Sequence, residues 1–233
     1  MNALDAITSK TITPLFEPIA PKEVRYIKLG RGGSWDRALA EGRLYWGDHQ
    51  EAIEESLRGD WAAAKSHYMD RYNDKSKATS NLRELRDFFE LDATTLWITF
   101  AGGAMWWAFS EPAEPIQGAV DPAEPTTLRR TIGPWRNTDR LGYPLNQTGL
   151  STKLTQLASY RRSICGVKHA DYAVRRINGE MEPHVPALLH HRSALIDATA
   201  HLVRDLDWRD FEILVDLLFS SAGWRRIPKW ADR

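Results

Sequence analysis

Short runs of alternating apolar and polar side chains predict strands in the first half of the chain. Residues 24–29 alternate apolar with basic side chains, and residues 43–47 form a second short run. Residues 95–100 and 104–109 flank the Gly-rich triplet 101–103, which is typical of a β-hairpin.

Alternation within the first hairpin strand also predicts which side chains share a face of the sheet. Side chains two residues apart lie on the same face of a strand. Leu96, Ile98 and Phe100 therefore lie on one face, with Trp97 and Thr99 on the other.

Apolar side chains spaced three and four residues apart predict helices in the remainder of the chain. Ser34 and Ser151 are expected N-caps, and Gly59-Asp60 is expected to divide the longest helical stretch. The predicted helices span residues 35–41, 49–72, 79–89, 151–160, 187–204 and 208–221. Prolines predict an extended arm over residues 1–22 and a loop or extended edge over residues 111–127.

Composition indicates an ordinary globular protein, with 42% hydrophobic and 27% charged residues. Cys165 is the only cysteine, which excludes an intramolecular disulfide and a cysteine zinc cluster. The chain shows neither a secretory h-region nor a run of about 20 apolar residues. We therefore expect a soluble, cytoplasmic protein without a membrane partner.

Candidate chemistry outside the aromatic residues is weak. The histidines of residues 184–201 lack metal-ligand spacing, so no metal site is predicted. Lys168 and His169 could activate Cys165, but a buried, inert cysteine is the more common situation. Residues 30–33 follow a strand and precede a helix without a complete phosphate-binding motif. This glycine-rich turn is expected to present Ser34 and Trp35 to a pocket.

Charge is distributed unevenly, although the chain as a whole is neutral. Residues 128–176 carry ten basic and two acidic side chains, a net charge of +8, against −6 before and −2 after them. A basic segment of this kind suits a polyanion, although solvated surface charge is an equal alternative. The side chains expected to contact a nucleic-acid backbone are Arg129, Arg130, Arg136, Arg140, Lys153, Arg161 and Arg162.

The ten tryptophans are the compositional outlier. An unpaired base can stack on aromatic rings while a polar neighbour bonds its edge. A Trp-rich core with a solvated basic loop is the competing interpretation. The residues predicted to form a base pocket are Ser34, Trp35, Tyr45, Trp46, Asp48, Trp97 and Trp107.

Residues 26–35, followed by Gly42 and by residues 45–47, resemble the opening of PUA-like domains of the EVE and YTH kind. The hairpin of residues 96–109 matches barrel strands of such domains. The resemblance covers roughly residues 23–177. It implies a small β-barrel with peripheral helices, here with a helical insertion over residues 49–90, that holds a flipped modified base in an aromatic pocket.

Residues 207–224 resemble the first helix of Mrr-type restriction endonuclease domains. In that family the helix precedes a PD-(D/E)XK core that binds Mg²⁺ and activates water. Only 14 residues follow Phe219 here. The resemblance therefore implies a truncated nuclease domain without catalytic residues, so no cofactor is expected in this chain.

Together these observations predict an α+β chain with a PUA-like small β-barrel containing inserted helices at residues 23–180 and a C-terminal helical segment at 181–233. The predicted function is the DNA-binding specificity module of a modification-dependent, type IV-like restriction or defence protein. Its expected partner is modified duplex DNA, and a homodimer is possible. An RNA reader, a small-molecule enzyme using the Trp pocket and a structural module remain alternatives.

Overall fold

The computed structural model describes residues 15–116, 124–180 and 184–224. The chain divides into two compact units, with the boundary directly after Glu180.

A curled six-stranded half-barrel sheet forms the centre of the first unit, and the α+β class is confirmed. Its strands are β1 (Glu23–Ile27), β2 (Arg43–Trp46), β3 (Thr95–Ala101), β4 (Ala104–Pro115), β5 (Thr127–Arg136) and β6 (Ile164–Gly166). They are ordered β2-β5-β4-β3-β1-β6 across the sheet. β1 runs parallel to β3, whereas the other neighbouring strands are antiparallel.

Six helices of the first unit connect and cover these strands. They are α1 (Arg37–Glu41), α2 (Gln50–Leu57), α3 (Trp61–Arg71), α4 (Lys75–Glu90), α5 (Thr152–Thr155) and α6 (Ala170–Ile177). The predicted division at Gly59-Asp60 is confirmed, because α2 ends at Leu57 and α3 begins at Trp61. The predicted hairpin is confirmed as well, with Gly102 and Gly103 between β3 and β4.

Of the two predicted caps, one is confirmed and one is wrong. The Ser151 hydroxyl accepts a hydrogen bond of 3.3 Å from the Lys153 N–H at the start of α5. Ser34 does not cap a helix. Residues 31–33 form a 3₁₀ turn that contains left-handed glycines, so α1 begins only after Asp36.

Both faces of the sheet are buried, each under its own apolar cluster. Trp97 belongs to the cluster between the sheet and the α2–α4 helices. Leu96 and Ile98 belong to the second cluster, with Met105 and Trp107. The predicted alternation along β3 is therefore confirmed, but it separates two buried faces rather than a core face from an open one.

Residues 111–115 are extended, one of the two alternatives predicted for residues 111–127, and the basic segment begins with a strand that the sequence analysis did not predict. β4 continues to Pro115 and β5 begins at Thr127, whereas residues 117–123 lie outside the described residues. Since β5 lies between β2 and β4, several of its side chains enter the interior. Arg129 is consequently 0% exposed.

The second unit contains two helices, α7 (His184–Arg204) and α8 (Trp208–Ser221). Asp207 caps α8, since its Oδ1 accepts hydrogen bonds from the N–H groups of Arg209 (2.8 Å) and Asp210 (3.0 Å). The apolar stripe of α8 is exposed or half-buried, with Phe211 47% and Phe219 54% exposed. Within the described ranges, no helix combines the length and apolarity needed to cross a membrane.

Candidate functional site

An aromatic pocket of about 300 Å³ lies beside the end of β2. It is bounded by the 3₁₀ turn before α1, by the loop after β2, by the end of α3 and by one side of α4. Its lining residues are Trp35, Trp46, Gly47, Asp48, His49, Tyr72, Asn81, Glu84, Glu124, Thr126 and Ser163. A volume of this size matches small-molecule and single-base sites.

Three aromatic rings form the apolar walls of this aromatic pocket. Trp46 is held rigidly, because it stacks on Phe88 of α4 with 5.4 Å between ring centroids and 30° between planes. Tyr72 stacks on Tyr68 at 6.2 Å and 14°. Trp35 is only half-buried and lies against Gly47. Flat, fixed rings of this kind suit a planar ligand.

The Gly30 conformation determines where Trp35 lies. Gly30 has φ +73°, and a Cβ atom there would overlap the Ser34 hydroxyl and come within 3.0 Å of the Trp35 ring. Gly32 also has a positive φ, +64°, but a Cβ atom there would meet nothing within 4 Å. Backbone conformation and close approach therefore both require glycine at position 30.

We expect Gly30→Ala to destabilise the protein more than Gly32→Ala does. Both variants impose an unfavourable φ, which costs about 1 kcal/mol or more. Only Gly30→Ala also displaces Ser34 and Trp35. Urea denaturation followed by circular dichroism measures both free energies of unfolding, and equal losses would contradict a packing role for Gly30.

Asp48 forms the polar floor of the aromatic pocket. Its Oδ1 accepts a hydrogen bond from the His49 N–H (2.7 Å), and its Oδ2 accepts one from the Tyr68 hydroxyl. The Thr126 hydroxyl accepts from the Asp48 N–H at 2.9 Å and donates to the Asp48 carbonyl oxygen at 3.1 Å. Burial raises the pKa of the Asp48 carboxyl, although the Tyr68 and His49 hydrogen bonds oppose this shift.

We expect Asp48→Asn to flatten part of the pH dependence of stability. Because the pKa of Asp48 is raised in the folded state, the folded chain retains a proton that the unfolded chain releases. The penalty for ionising this carboxyl is absent below the unfolded pKa, grows as pH rises above it and is complete above the folded pKa. The variant should therefore gain stability relative to the wild type as pH rises above about 4, the ordinary pKa of an aspartate. Urea denaturation at a series of pH values from about 4 upward measures the free energy of unfolding of both proteins. A difference between variant and wild type that does not change with pH would refute the raised pKa of Asp48.

Glu84 is the second carboxyl of the aromatic pocket and is buried, with 5% of its surface exposed. Its Oε1 lies 3.1 Å from Arg162 Nε, and its Oε2 accepts a hydrogen bond from the Ser163 N–H at 3.2 Å. Arg162 Nη2 also donates to Asn81 Oδ1. Burial raises the pKa of Glu84, and the charge of Arg162 lowers it.

Trp35, Trp46 and Asp48 are brought together as predicted, but four other predicted pocket residues do not line the aromatic pocket. The Ser34 hydroxyl lies over Gly30 instead. The Tyr45 ring is buried, and its hydroxyl donates to Glu41 and accepts from Arg43. Trp97 is fully buried, and Trp107 lies in the cluster on the other face of the sheet. The positions of Trp97 and Trp107 correct their assignment to one open pocket.

A basic groove of about 920 Å³ adjoins the aromatic pocket. Three of the predicted backbone-contacting residues, Lys153, Arg161 and Arg162, line it. The full lining is Arg25, Arg83, Asp87, Lys153, Gln156, Leu157, Ser159, Tyr160, Arg161, Arg162, Cys165, Gly166, Val167, Lys168 and His169.

The other four predicted cations do not line the basic groove. Arg130 is exposed and pairs with Glu114. The Arg136 guanidinium lies 5.6 Å from the Trp107 ring centroid. The Arg140 N–H donates to the Ile177 carbonyl oxygen at the end of α6.

Arg129 is the clearest correction among the predicted backbone contacts. Its Nη1 and Nη2 donate hydrogen bonds of 2.6 Å to the Phe88 and Leu91 carbonyl oxygens, and its Nε donates to Ser110 Oγ and the Glu111 carbonyl oxygen at 2.9 Å. Burial lowers the pKa of Arg129 to about 10, so the side chain stays protonated at neutral pH. It stabilises the C-terminal end of α4 and has no surface left for a phosphate.

Nucleophilic and metal chemistry receive no support from the described residues. Burial raises the pKa of the Cys165 thiol to about 11, which keeps it protonated despite the opposing charges of Arg83 and Arg25. Within residues 15–116, 124–180 and 184–224, no group of three His, Cys, Asp or Glu side chains could hold a metal ion.

Several residues of the aromatic pocket were not predicted from the sequence. Glu84 carried a usable signal, because it lies one helical turn before Phe88 and thus shares its buried side. A carboxyl on a buried helix face is unusual and marks a candidate site. Tyr72, Thr126 and Ser163 carried no local signal, since distant segments bring them together.

Comparison of the chain with protein-family models, with curated proteins and with solved structures found no match. The resemblances to PUA-like domains and to the Mrr-type nuclease helix therefore stay predictions. The class of ligand that this chain binds is therefore inferred from the geometry of the aromatic pocket and the basic groove.

Proposed function

We propose that this chain is the DNA-binding specificity module of a modification-dependent restriction or defence protein. In this proposal a modified base leaves the duplex and enters the aromatic pocket. The observation that carries it is an aromatic pocket with one half-buried carboxyl, Asp48, and one buried carboxyl, Glu84, directly beside a basic groove. This combination suits a ligand that is both a planar base and a phosphodiester.

Each part of the aromatic pocket has a role in this proposal. Trp35 and Trp46 stack on the flipped base, and each stack contributes about 1–3 kcal/mol. That gain offsets a cost of a few kcal/mol for unstacking and unpairing the base. The carboxyls of Asp48 and Glu84 accept hydrogen bonds from N–H groups on the base edge. The resemblance of α8 to the first helix of Mrr-type nuclease domains supports a role in restriction. Cleavage of DNA would require a complete nuclease domain of that type.

A binding assay with one duplex in several modification states tests this function. Fluorescence anisotropy compares the unmodified duplex with versions carrying 5-methylcytosine, 5-hydroxymethylcytosine or N6-methyladenine, each at two salt concentrations. We expect tighter binding to one modified duplex. Equal binding to all of them would refute base reading. Tighter binding to single-stranded RNA of the same sequence would replace the DNA proposal with an RNA reader.

A further inference from the structure

Arg162 forms the partition between the aromatic pocket and the basic groove. Arg162 itself lines the groove, whereas its partners Glu84 and Asn81 line the pocket. The contacts of Arg162 Nε with Glu84 and of Nη2 with Asn81 cross this partition. Neither contact uses Nη1. Arg162 is therefore held in a fixed orientation by pocket residues while it faces the groove.

Most of the remaining cations of the groove lack a direct ion pair. Within the described ranges, no carboxylate oxygen lies within ion-pair distance of Arg83, Lys153, Arg161 or Lys168. Arg25 does pair with acids, with its Nη2 2.9 Å from Glu23 and 3.6 Å from Asp87, and the charge of Arg83 also acts on Glu84 and Asp87. Cations outnumber carboxylates in the lining, and an excess of positive charge along one cavity attracts an anion with several charges.

The volume and lining of the groove favour an extended anion over a single ion. Its volume of about 920 Å³ is roughly three times that of the aromatic pocket, at about 300 Å³. Leu157, Tyr160 and Val167 add apolar surface to the same cavity as the cations. A lining with both charged and apolar surface suits a sugar-phosphate chain, in which each phosphate is separated from the next by a sugar.

We propose that the basic groove binds the phosphodiester backbone of the strand that carries the flipped nucleotide, with Arg162 as the residue that couples groove and pocket. This inference rests on the proposed function. Glu84 and Asn81 act as positioning residues, because they orient the Arg162 guanidinium toward a phosphate. A change at Glu84 on base entry is transmitted directly to that guanidinium. Base recognition and backbone binding are therefore energetically linked.

The test combines five single variants with the same modified and unmodified duplexes. Arg83→Gln and Lys168→Gln remove groove cations, Arg162→Gln removes the coupling residue, and Arg130→Gln is the charge-matched control outside the groove. Each dissociation constant is measured by anisotropy at five salt concentrations. Circular dichroism melting confirms that every variant is folded, and Arg162→Lys provides a charge-conserving version of the central variant.

We expect Arg83→Gln and Lys168→Gln each to reduce the slope of log Kd against log salt by about 0.9, with equal loss for both duplexes. Arg162→Gln should reduce the slope and also bring the affinity ratio of modified to unmodified duplex toward 1. Arg162→Lys should keep the slope, because the charge is conserved. It should lose part of the preference for the modified duplex, because lysine lacks the guanidinium geometry. Arg130→Gln should leave both unchanged.

The outcomes separate the coupling proposal from the proposed function. Unchanged slopes in the groove variants, with intact discrimination, would overturn the groove assignment and leave base reading standing. A reduced slope with intact discrimination in Arg162→Gln would overturn the coupling alone. Equal affinity of the wild-type protein for the modified and unmodified duplexes would overturn base reading itself.

Free phosphate could bind the same cations, so one arm uses inorganic phosphate and a nucleoside monophosphate as competitors. If the groove is a strand site, neither competitor should displace the duplex at concentrations where an unlabelled oligonucleotide does. Displacement by the monophosphate at the oligonucleotide's concentration would overturn the strand assignment and indicate a small phosphate ester as the ligand.

Discussion

Replacing Arg129 with methionine should lower the free energy of unfolding by about 2–4 kcal/mol. Methionine fills similar volume but leaves four acceptors without their donor: Ser110 Oγ and the carbonyl oxygens of Phe88, Leu91 and Glu111. Each unsatisfied buried polar group costs about 1–3 kcal/mol, and removal of a buried charge recovers part of the sum.

Arg130→Met is the matched control for this stability prediction. Arg130 is the next residue of the same strand, carries the same charge and is exposed in an ion pair with Glu114. Surface pairs of this kind contribute about 0–1 kcal/mol. Urea denaturation followed by circular dichroism compares the two variants. Similar losses for both would show that Arg129 does not hold the end of α4.

Replacing Trp35 with alanine should weaken binding to the preferred modified duplex by about 5- to 150-fold. This range corresponds to the loss of one base stack, about 1–3 kcal/mol. Trp35 is the informative choice because it is only half-buried where it packs against the core, so its removal disturbs the core less than the loss of a fully buried ring. Replacing Trp46 would damage folding and binding together, because this side chain is 4% exposed and stacks on Phe88.

Two comparisons make the Trp35 prediction decisive. Binding to the unmodified duplex should change much less than binding to the modified one, because backbone contacts in the basic groove remain. Trp208→Ala, in the second unit with 67% of its surface exposed, should leave both affinities unchanged. An equal loss for modified and unmodified duplexes would mean that Trp35 does not contact the base.

Local elements of the fold could be predicted because their signals lie within a few residues. Gly102 and Gly103 mark the hairpin turn, and Gly59-Asp60 separates α2 from α3. The depth of a side chain is not a local property. Alternation along β3 correctly separates Trp97 from Leu96, yet it cannot show that helices cover one face and a second core covers the other.

Charge counting failed for the same physical reason. Arg129 and Arg130 are adjacent in a basic segment, but β5 turns one inward and the other outward. A net charge of +8 over residues 128–176 therefore does not describe one surface. Lys153, Arg161 and Arg162 do share a groove, whose cations also include Arg25 and Arg83 from outside that segment. Only the folded arrangement reveals this combination.

The late position of β6 in the chain has a consequence for folding during synthesis. β6 pairs with β1, so Tyr26 contacts Cys165, and the Ile19 N–H donates to Asn178 at a separation of 159 residues. Contacts this distant in sequence slow folding, because a long loop must close before they form. Ser163, a wall of the aromatic pocket, emerges from the ribosome after all the other lining residues. A nascent chain therefore acquires its candidate binding site only after most of the first unit has been made, and until then the edge of β1 that β6 later covers stays open to other strands.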